Sequence, residues 1–409
     1  MEIKQLTNKE FNNFINNFKN KSIYQTPEYG FVMNHENFDT VFFGLEDNNK
    51  IIGASLILIQ NIDNFKYAYA PKGFLIDYEN KELLKIFTEK IKKYLGKLGI
   101  VAIKINPIVV KNIYSNNNEI IYENNEYNNI FNNLKGLGYN HLGYNNYFEG
   151  LKPRYEAILD INKSYYTLFK NIKKQNRTKI RGAEKLGIKI YKGNINNLDY
   201  LYVHTKNKYP RELEYFKNCY NYFSKNDNIE FYFAKLDTVK FLKNATKNFQ
   251  EQEEICNKID KEIMNNNSLL KEKMENDKLL DKYKSNLIYA TKLLSKYPDG
   301  VVTSSALIVK NDKTINLLMD GYDTNFKRLN SKNLLIWKLL QKYSELGYEK
   351  FNFGGITNPN LKDNKYSGLN EFKLSFNSNI YEYIGDFELI TNKPLYFIYK
   401  NKLKIKKNN

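Results

Sequence analysis

Tyr348–Phe387 reads YEKFNFGGITNPNLKDNKYSGLNEFKLSFNSNIYEYIGDF. Phe351–Phe353 forms a short apolar strand, which Gly354-Gly355 is expected to end because glycine lets the backbone turn sharply or approach a ligand closely. A polar loop follows, with Pro359, Gly368 and several asparagines. Then comes Phe372-Lys373, with Phe376 one helical turn on, and a second strand from Ile380 to Ile384. A lysine between apolar anchors beside a glycine turn can hold a cation against an anionic or charge-developing ligand. Taken alone, it is equally an ordinary solvated loop lysine.

Upstream, Gly300–Val309 and Thr314–Met319 read as a hairpin across Asn311-Asp312, and Asp320-Gly321-Tyr322 ends its second strand. Asn333–Leu346 carries apolar residues at helical spacing. The amino-terminal part repeats this order. Strands are expected at Thr40–Leu45, Ile51–Ile59 and Tyr67–Ala70, a helix at Asn80–Leu98, and a buried strand at Val101–Ile105 closed by Asn106-Pro107. A Thr7 cap with Glu10 three residues on opens an earlier helix. Each part resembles a GNAT-like (N-acyltransferase) α/β unit, a fold whose sheet splays between central strands and leaves a groove for an acyl donor.

The 409 residues suit two or three domains at about 100–200 residues each. The expected fold class is α/β (α+β), with two tandem GNAT-like domains. Residues 1–152 form the first and 153–384 the second, with 385–409 packing back on the first. Residues 238–297 depart from the pattern: glycine is absent, and Leu242, Ala245, Phe249, Gln252, Cys256, Ile259 and Ile263 step alternately by three and four. After Asn265-Asn266-Asn267-Ser268, a return seam runs through Leu280, Tyr283, Leu287, Ala290 and Leu294. This reads as an inserted antiparallel coiled-coil arm of roughly 35–40 Å, at about 1.5 Å per residue. Such an arm can touch nucleic acid or join copies of the chain.

One helix is expected through KNIKKQNRTKIRGAEKLG, wrapped by Lys170, Lys173, Lys174, Arg177, Lys179, Arg181 and Lys185. That density suits phosphate-backbone contact or a solvated face. Arg211 precedes an aromatic helix, Tyr215–Phe223, where it can fork onto a phosphate or pair with Glu212 or Glu214. The net charge of +18 fits a polyanionic partner or simple solubility. Cys219 and Cys256 have no metal or disulfide-framework spacing, and the three histidines are scattered, so no metal site is expected. The amino terminus does not read as a signal peptide and no run of about 18 apolar residues occurs, so a cytoplasmic location is expected.

GGI at Gly354–Ile356, FKLSF at Phe372–Phe376 and EYIGDF at Glu382–Phe387 resemble the carboxyl-terminal signature of the Fem (FemABX) family. PKGFLIDYEN at Pro71–Asn80 resembles its PRGPxxDYxN pattern, and IKINP at Ile103–Pro107 and LKGLGY at Leu134–Tyr139 follow in the family's order. Gln25 and Tyr29 match its Gln-to-aromatic segment. The resemblance implies transfer of an amino acid from aminoacyl-tRNA to the stem-peptide amine of a peptidoglycan precursor, either UDP-MurNAc-pentapeptide or lipid II, without a cofactor. It also implies a cytoplasmic enzyme, peripheral to the inner face of the membrane where its acceptor is lipid-linked. It points to Lys373 as the electrostatic catalyst and to Arg211 for a precursor phosphate. Lys72, Asn106, Asp320, Tyr322, Phe372, Gln25 and Tyr29 would line the substrate site, with Arg177, Lys179 and Arg181 contacting tRNA. Two departures stand out. Gly30–Asn34 lacks the lysine that members carry there, leaving His35 nearest, and Asn106 replaces an aspartate. Acyl-CoA-dependent acylation is the alternative, but Arg328–Asn333, where a pyrophosphate-binding turn would fall, contains no glycine. A third reading is a non-catalytic tRNA- or precursor-binding protein of the same fold.

Overall fold

The structure is a computed structural model that describes residues 1–207, 211–263, 269–362 and 364–408. The first elements are β1 (Glu2–Gln5), α1 (Asn8–Asn17), α2 (Pro27–Asn34), β2 (Asp39–Asp47), β3 (Lys50–Ile62), β4 (Phe65–Ala70), α3 (Lys81–Lys97) and β5 (Ile100–Ile105). Next come β6 (Val110–Tyr114), β7 (Ile120–Glu123), α4 (Tyr127–Gly136), β8 (Tyr139–His141), β9 (Tyr155–Asp160), α5 (Tyr165–Asn171), α6 (Lys174–Lys185) and β10 (Ile188–Gly193). The middle holds α7 (Leu198–Thr205), α8 (Leu213–Phe223), β11 (Ile229–Leu236), α9 (Thr238–Ile263) and α10 (Leu270–Lys296). The chain ends with β12 (Val301–Asn311), β13 (Thr314–Tyr322), α11 (Ser331–Glu345), β14 (Lys350–Ile356), α12 (Ser367–Leu374), β15 (Asn379–Tyr383), β16 (Phe387–Ile390) and α13 (Lys393–Asn408).

Local chemistry accounts for several of these. Thr7 and Glu10 form the reciprocal capping box that starts α1. The Asn80 side chain accepts from the Leu83 N–H, and α3 then buries Leu84, Phe87, Ile91 and Leu95 at three- and four-residue steps. Two mixed sheets result, ordered β1-β2-β3-β4-β5-β16-β8 and β10-β11-β12-β13-β14-β9-β15-β6-β7. Each has one parallel crossover, β4-α3-β5 in the first and β13-α11-β14 in the second. The two crossovers behave differently. β4 and β5 stay paired to Ala70 and Ile105, whereas β13 and β14 pair only over Thr314–Asn316 and Lys350–Asn352, then diverge.

The sheets exchange strands across the expected division at 152. β6 joins β15 in the second sheet, and β16 returns to lie between β5 and β8 in the first. α9 and α10 are inserted between β11 and β12 and run antiparallel. Gln252 Nε2 donates to Asn276 Oδ1 at 2.8 Å, Lys273 pairs with Asp260, and Phe241 meets Tyr289. The break expected at Asn265–Ser268 lies outside the described residues.

Two expectations need correction. The basic segment is two helices: Ser164 caps α5, then buried Ile172 is extended, and the Lys173 N–H bonds the Ser375 carbonyl before α6 starts. Gly354-Gly355 does not end its strand. β14 runs to Ile356 because β9 continues to pair with it across an irregularity between Asn352 and Gly355. The carboxyl-terminal segment is helical from Lys393 through Asn408.

Candidate active site

Where β13 and β14 part, they leave a cavity of about 190 Å³ lined by Leu317–Asp320 and Asn352–Gly355, with Tyr24, Phe148, Glu156 and Lys373 completing it. Gly354 has a left-handed φ of +76° there. Gly355 lies against Pro153, whose ring would be 2.7 Å from an added Cβ. The loop between β14 and α12 is stapled by Asn370: its Oδ1 accepts from the Thr357 N–H at 3.1 Å and its Nδ2 donates to the Thr357 carbonyl at 3.2 Å.

α12 delivers Lys373 into this cavity. Phe372 and Phe376 pack edge to face at 5.4 Å, and Phe376 stacks on Phe353 at 5.5 Å, which anchors the helix over β14. Lys373 is 6% exposed, and its ammonium donates to the Gly355 carbonyl at 2.7 Å. Among the described residues no carboxylate lies within ion-pair distance of it. Burial pushes its pKa down to about 8, against the opposing pull of Asp320. Asp320 is itself paired with Lys332, which sits 4.0 Å over the Phe372 ring. Tyr322 ends β13 one strand-step beyond, within 5.9 Å of Lys332.

Glu156 ties this cavity to the first sheet. Its carboxylate takes the Lys72 ammonium at 2.9 Å, the Asn352 amide at 2.9 Å and the Tyr383 hydroxyl at 3.1 Å. Burial alone would raise the Glu156 pKa, but Lys72 and these donors hold it below the usual carboxylate range. Lys72 also lies 3.9 Å over the Tyr383 ring. Asn106 sets the Lys72 backbone: its Oδ1 accepts from the Lys72 N–H at 2.8 Å and from the Tyr69 hydroxyl at 3.0 Å. The structure thus brings Lys373, Asp320, Phe372, Lys72 and Asn106 into one linked region.

Other expected residues are placed differently. Gln25 is fully buried and bonds Leu56, Pro71 and Ser55, so its polar atoms hold the fold together. Tyr29 receives the Lys152 ammonium at 3.2 Å. Arg211 pairs with Glu36 at 3.0 Å and stacks on Tyr215 at 4.8 Å, rather than pairing with Glu212 or Glu214; its neighbour Pro210 lies outside the described residues. Arg177 is turned inward onto the Ile172 and Lys170 carbonyls, and so terminates α5. Lys179 and Arg181 are exposed, with Arg181 also lying 5.1 Å from the Phe169 ring. Sequence reasoning missed Glu156, Asn352, Tyr383 and Lys152. The only signal for Glu156 was an acid set among apolar neighbours near the start of β9. Among the described residues no group of three or more His, Cys, Asp and Glu could hold a metal ion, and no helix is long and apolar enough to cross a membrane.

Paired GNAT-like units, one splayed open over a buried ammonium, define a protein of the N-acyltransferase fold class. The FemAB family model matches residues 6–404, so this chain belongs to the FemAB family. It is 25% identical to a lipid II:glycine glycyltransferase of Staphylococcus epidermidis, over 97% of this chain and 95% of that protein. It is 26% identical to the aminoacyltransferase FemA of the same species, with both chains fully covered. The crystal structure of FemX has the same fold, with a TM-score of 0.75 at 22% identity over 97% of this chain and 99% of that one. A tandem GNAT protein of clavulanic acid biosynthesis reaches 0.50 at 7% identity, covering 96% and 98%.

Proposed function

We propose that this protein transfers an amino acid from aminoacyl-tRNA to the stem-peptide amine of a peptidoglycan precursor. The observation that carries this reading is the buried Lys373 ammonium at the splay of β13 and β14. An aminoacyl ester is already activated, so the enzyme needs alignment and charge stabilisation rather than a covalent nucleophile. The acceptor nitrogen forms the new C–N bond, the C–O bond to the tRNA ribose breaks, and the proton lost by nitrogen ends on the ribose oxygen. One Lys373 proton is committed to Gly355; the other two can meet the negative charge that develops on the carbonyl oxygen. Asp320, Tyr322 and Phe372 shape the donor side, and Lys72, Asn106 and Arg211 the acceptor side.

The names of the similar proteins, a lipid II:glycine glycyltransferase and an aminoacyltransferase, support amino-acid transfer to an acceptor of this class. Lys179 and Arg181 on α6 suit tRNA phosphate contact. α6 adjoins the helix that carries Lys373, because Asn176 Nδ2 donates to Ser375 Oγ at 2.7 Å. The test is to incubate the protein with each charged tRNA and with UDP-MurNAc-pentapeptide or lipid II, then weigh the products. A mass gain of one amino-acid residue on the peptide is expected. Binding of charged tRNA with no mass gain would leave a carrier role, and binding of coenzyme A instead of tRNA would defeat the reading.

A further inference from the structure

Two opposite charges face one cavity and are held apart in it. Glu156 and Lys373 both line the space where β13 and β14 part, and they are 5% and 6% exposed. They are near enough to act on each other electrostatically, yet they form no ion pair. Each is tethered elsewhere. The Lys373 ammonium is drawn to the Gly355 carbonyl, and the Glu156 carboxylate to Lys72, Asn352 and Tyr383. Gly354 keeps the ground beside the ammonium open. A Cβ added there would stand 3.8 Å from Lys373 Nζ and 3.8 Å from the Leu317 carbonyl oxygen.

Both tethers leave capacity unused. Glu156 Oε2 accepts from Asn352 Nδ2 and from the Tyr383 hydroxyl, whereas Oε1 meets only the Lys72 ammonium among the described residues. A carboxylate oxygen accepts two hydrogen bonds, so Oε1 has room for one more donor. Opposite charges free to move in a buried cavity would close on each other. Pinned apart, they match a group that is positive at one end and negative at the other. Addition of an amine to an ester makes such a group. As the C–N bond forms, the nitrogen becomes positive and the carbonyl oxygen negative. The C–O bond then breaks, and the surplus proton of the nitrogen goes to the ribose oxygen. We propose that Glu156 is a second catalytic residue, its Oε1 accepting from the attacking nitrogen while Lys373 meets the carbonyl oxygen. The role needs a charged carboxylate, and Lys72 with the other donors holds the Glu156 pKa below the usual range. Its place in this reaction rests on the transfer reading; the preference of the cavity for a paired positive and negative group does not.

Calorimetric titration of the full chain with aminomethylphosphonate and with methylphosphonate, the same anion without the ammonium, tests the cavity without turnover. Wild-type protein is expected to bind the aminated probe about tenfold more tightly, the worth of a charge-assisted hydrogen bond. Lys373→Met should weaken both probes. Glu156→Gln should erase the difference between them. Because that change leaves Lys72 without its partner, it is also made together with Lys72→Met; the double variant should lack the difference, and Lys72→Met alone should keep it. In turnover, adding Glu156→Gln to Lys72→Met should lower kcat about 100-fold with little change in KM. A purely structural role would lower Tm and leave kcat per folded molecule unchanged. Equal binding of the two probes by wild-type protein, a difference that survives loss of the carboxylate, or an unchanged kcat in the folded double variant would overturn the proposal. A Glu156-dependent difference in a protein that transfers nothing would keep the polarised cavity and remove only the transfer reading.

Discussion

At Lys373, charge and burial are in conflict, and the conflict gives testable signs. The ammonium is lost as pH rises through about 8, so kcat should fall across that range if this proton-bearing form stabilises the transition state. Stability should move the other way. The folded pKa lies below that of the unfolded chain, so between about 8 and the ordinary value of 10.5 the unfolded chain binds more protons, and this group favours the fold more as pH rises. Measuring kcat and Tm from pH 7 to 9.5 checks both signs. Lys373→Met should lower kcat by about 100-fold or more while leaving Tm unchanged or higher, because an apolar isostere removes a buried charge. Near-normal turnover in that variant would take Lys373 out of the mechanism. Glu156 presents the opposite case. Glu156→Gln strands the buried Lys72 ammonium, and denaturant titration should show a loss of about 3–5 kcal/mol. The double change Glu156→Leu with Lys72→Met should cost less than Glu156→Gln alone; an equal or larger cost would mean that the pair's worth lies in packing rather than charge.

Among the elements, those made by local chemistry were legible from the residues. The Thr7–Glu10 box and the helical spacing of α3 act within a few positions, and the structure has them where the sequence implies. Lys373 was legible too, because the residues flanking it resemble a family signature. The two-helix form of α5 and α6 was not, since the break depends on Ser375 accepting from the Lys173 N–H, about two hundred positions away. Nor was the continuation of β14 through two glycines, which depends on pairing with β9. Glu156 stayed hidden for the same reason: Lys72, Asn352 and Tyr383 reach it from three distant segments. α13 carries its own prediction. Tyr396, Tyr399 and Leu403 pack toward β5, while Phe397 and Ile398 face solvent, 68% and 48% exposed, between Lys393 and Lys400 on one flank and Lys402 on the other. An apolar strip with basic flanks suits the surface of an anionic bilayer. In flotation assays with vesicles containing anionic phosphatidylglycerol, wild-type protein should co-migrate at low salt, and Phe397→Ser with Ile398→Ser should not. Equal flotation of the two would exclude this helix as the contact.

Across the whole molecule, the exchange of strands makes the two sheets mechanically dependent on each other. β15 lies between β9 and β6 in the second sheet, and three residues later β16 lies between β5 and β8 in the first. That short connection is held by Asp386, whose carboxylate meets Lys104 of β5 at 2.6 Å. Pulling β16 out would expose Phe387 and Leu389, both fully buried, and strip β5 of its neighbour on that side. Losing β6 would likewise bare one edge of β15. Neither sheet can open without disturbing the other, so heating should produce one cooperative transition, with calorimetric and van't Hoff enthalpies in agreement. The cleft follows from the same coupling. Most of its walls come from the second sheet, but Glu156 is held by Lys72 from the segment after β4, so independent melting of the first sheet would release the carboxylate beside Lys373. Two resolved calorimetric transitions, or a chain ending at Asp386 that still melts at the wild-type temperature, would show that the exchange does not couple the sheets. Lys104→Met is the finer probe. It leaves every strand in place but removes the ion pair at the crossover, so it should lower the single Tm by about 1–3 degrees without splitting the transition, since a chain of this size unfolding as one unit shifts by roughly 1 °C per kcal/mol.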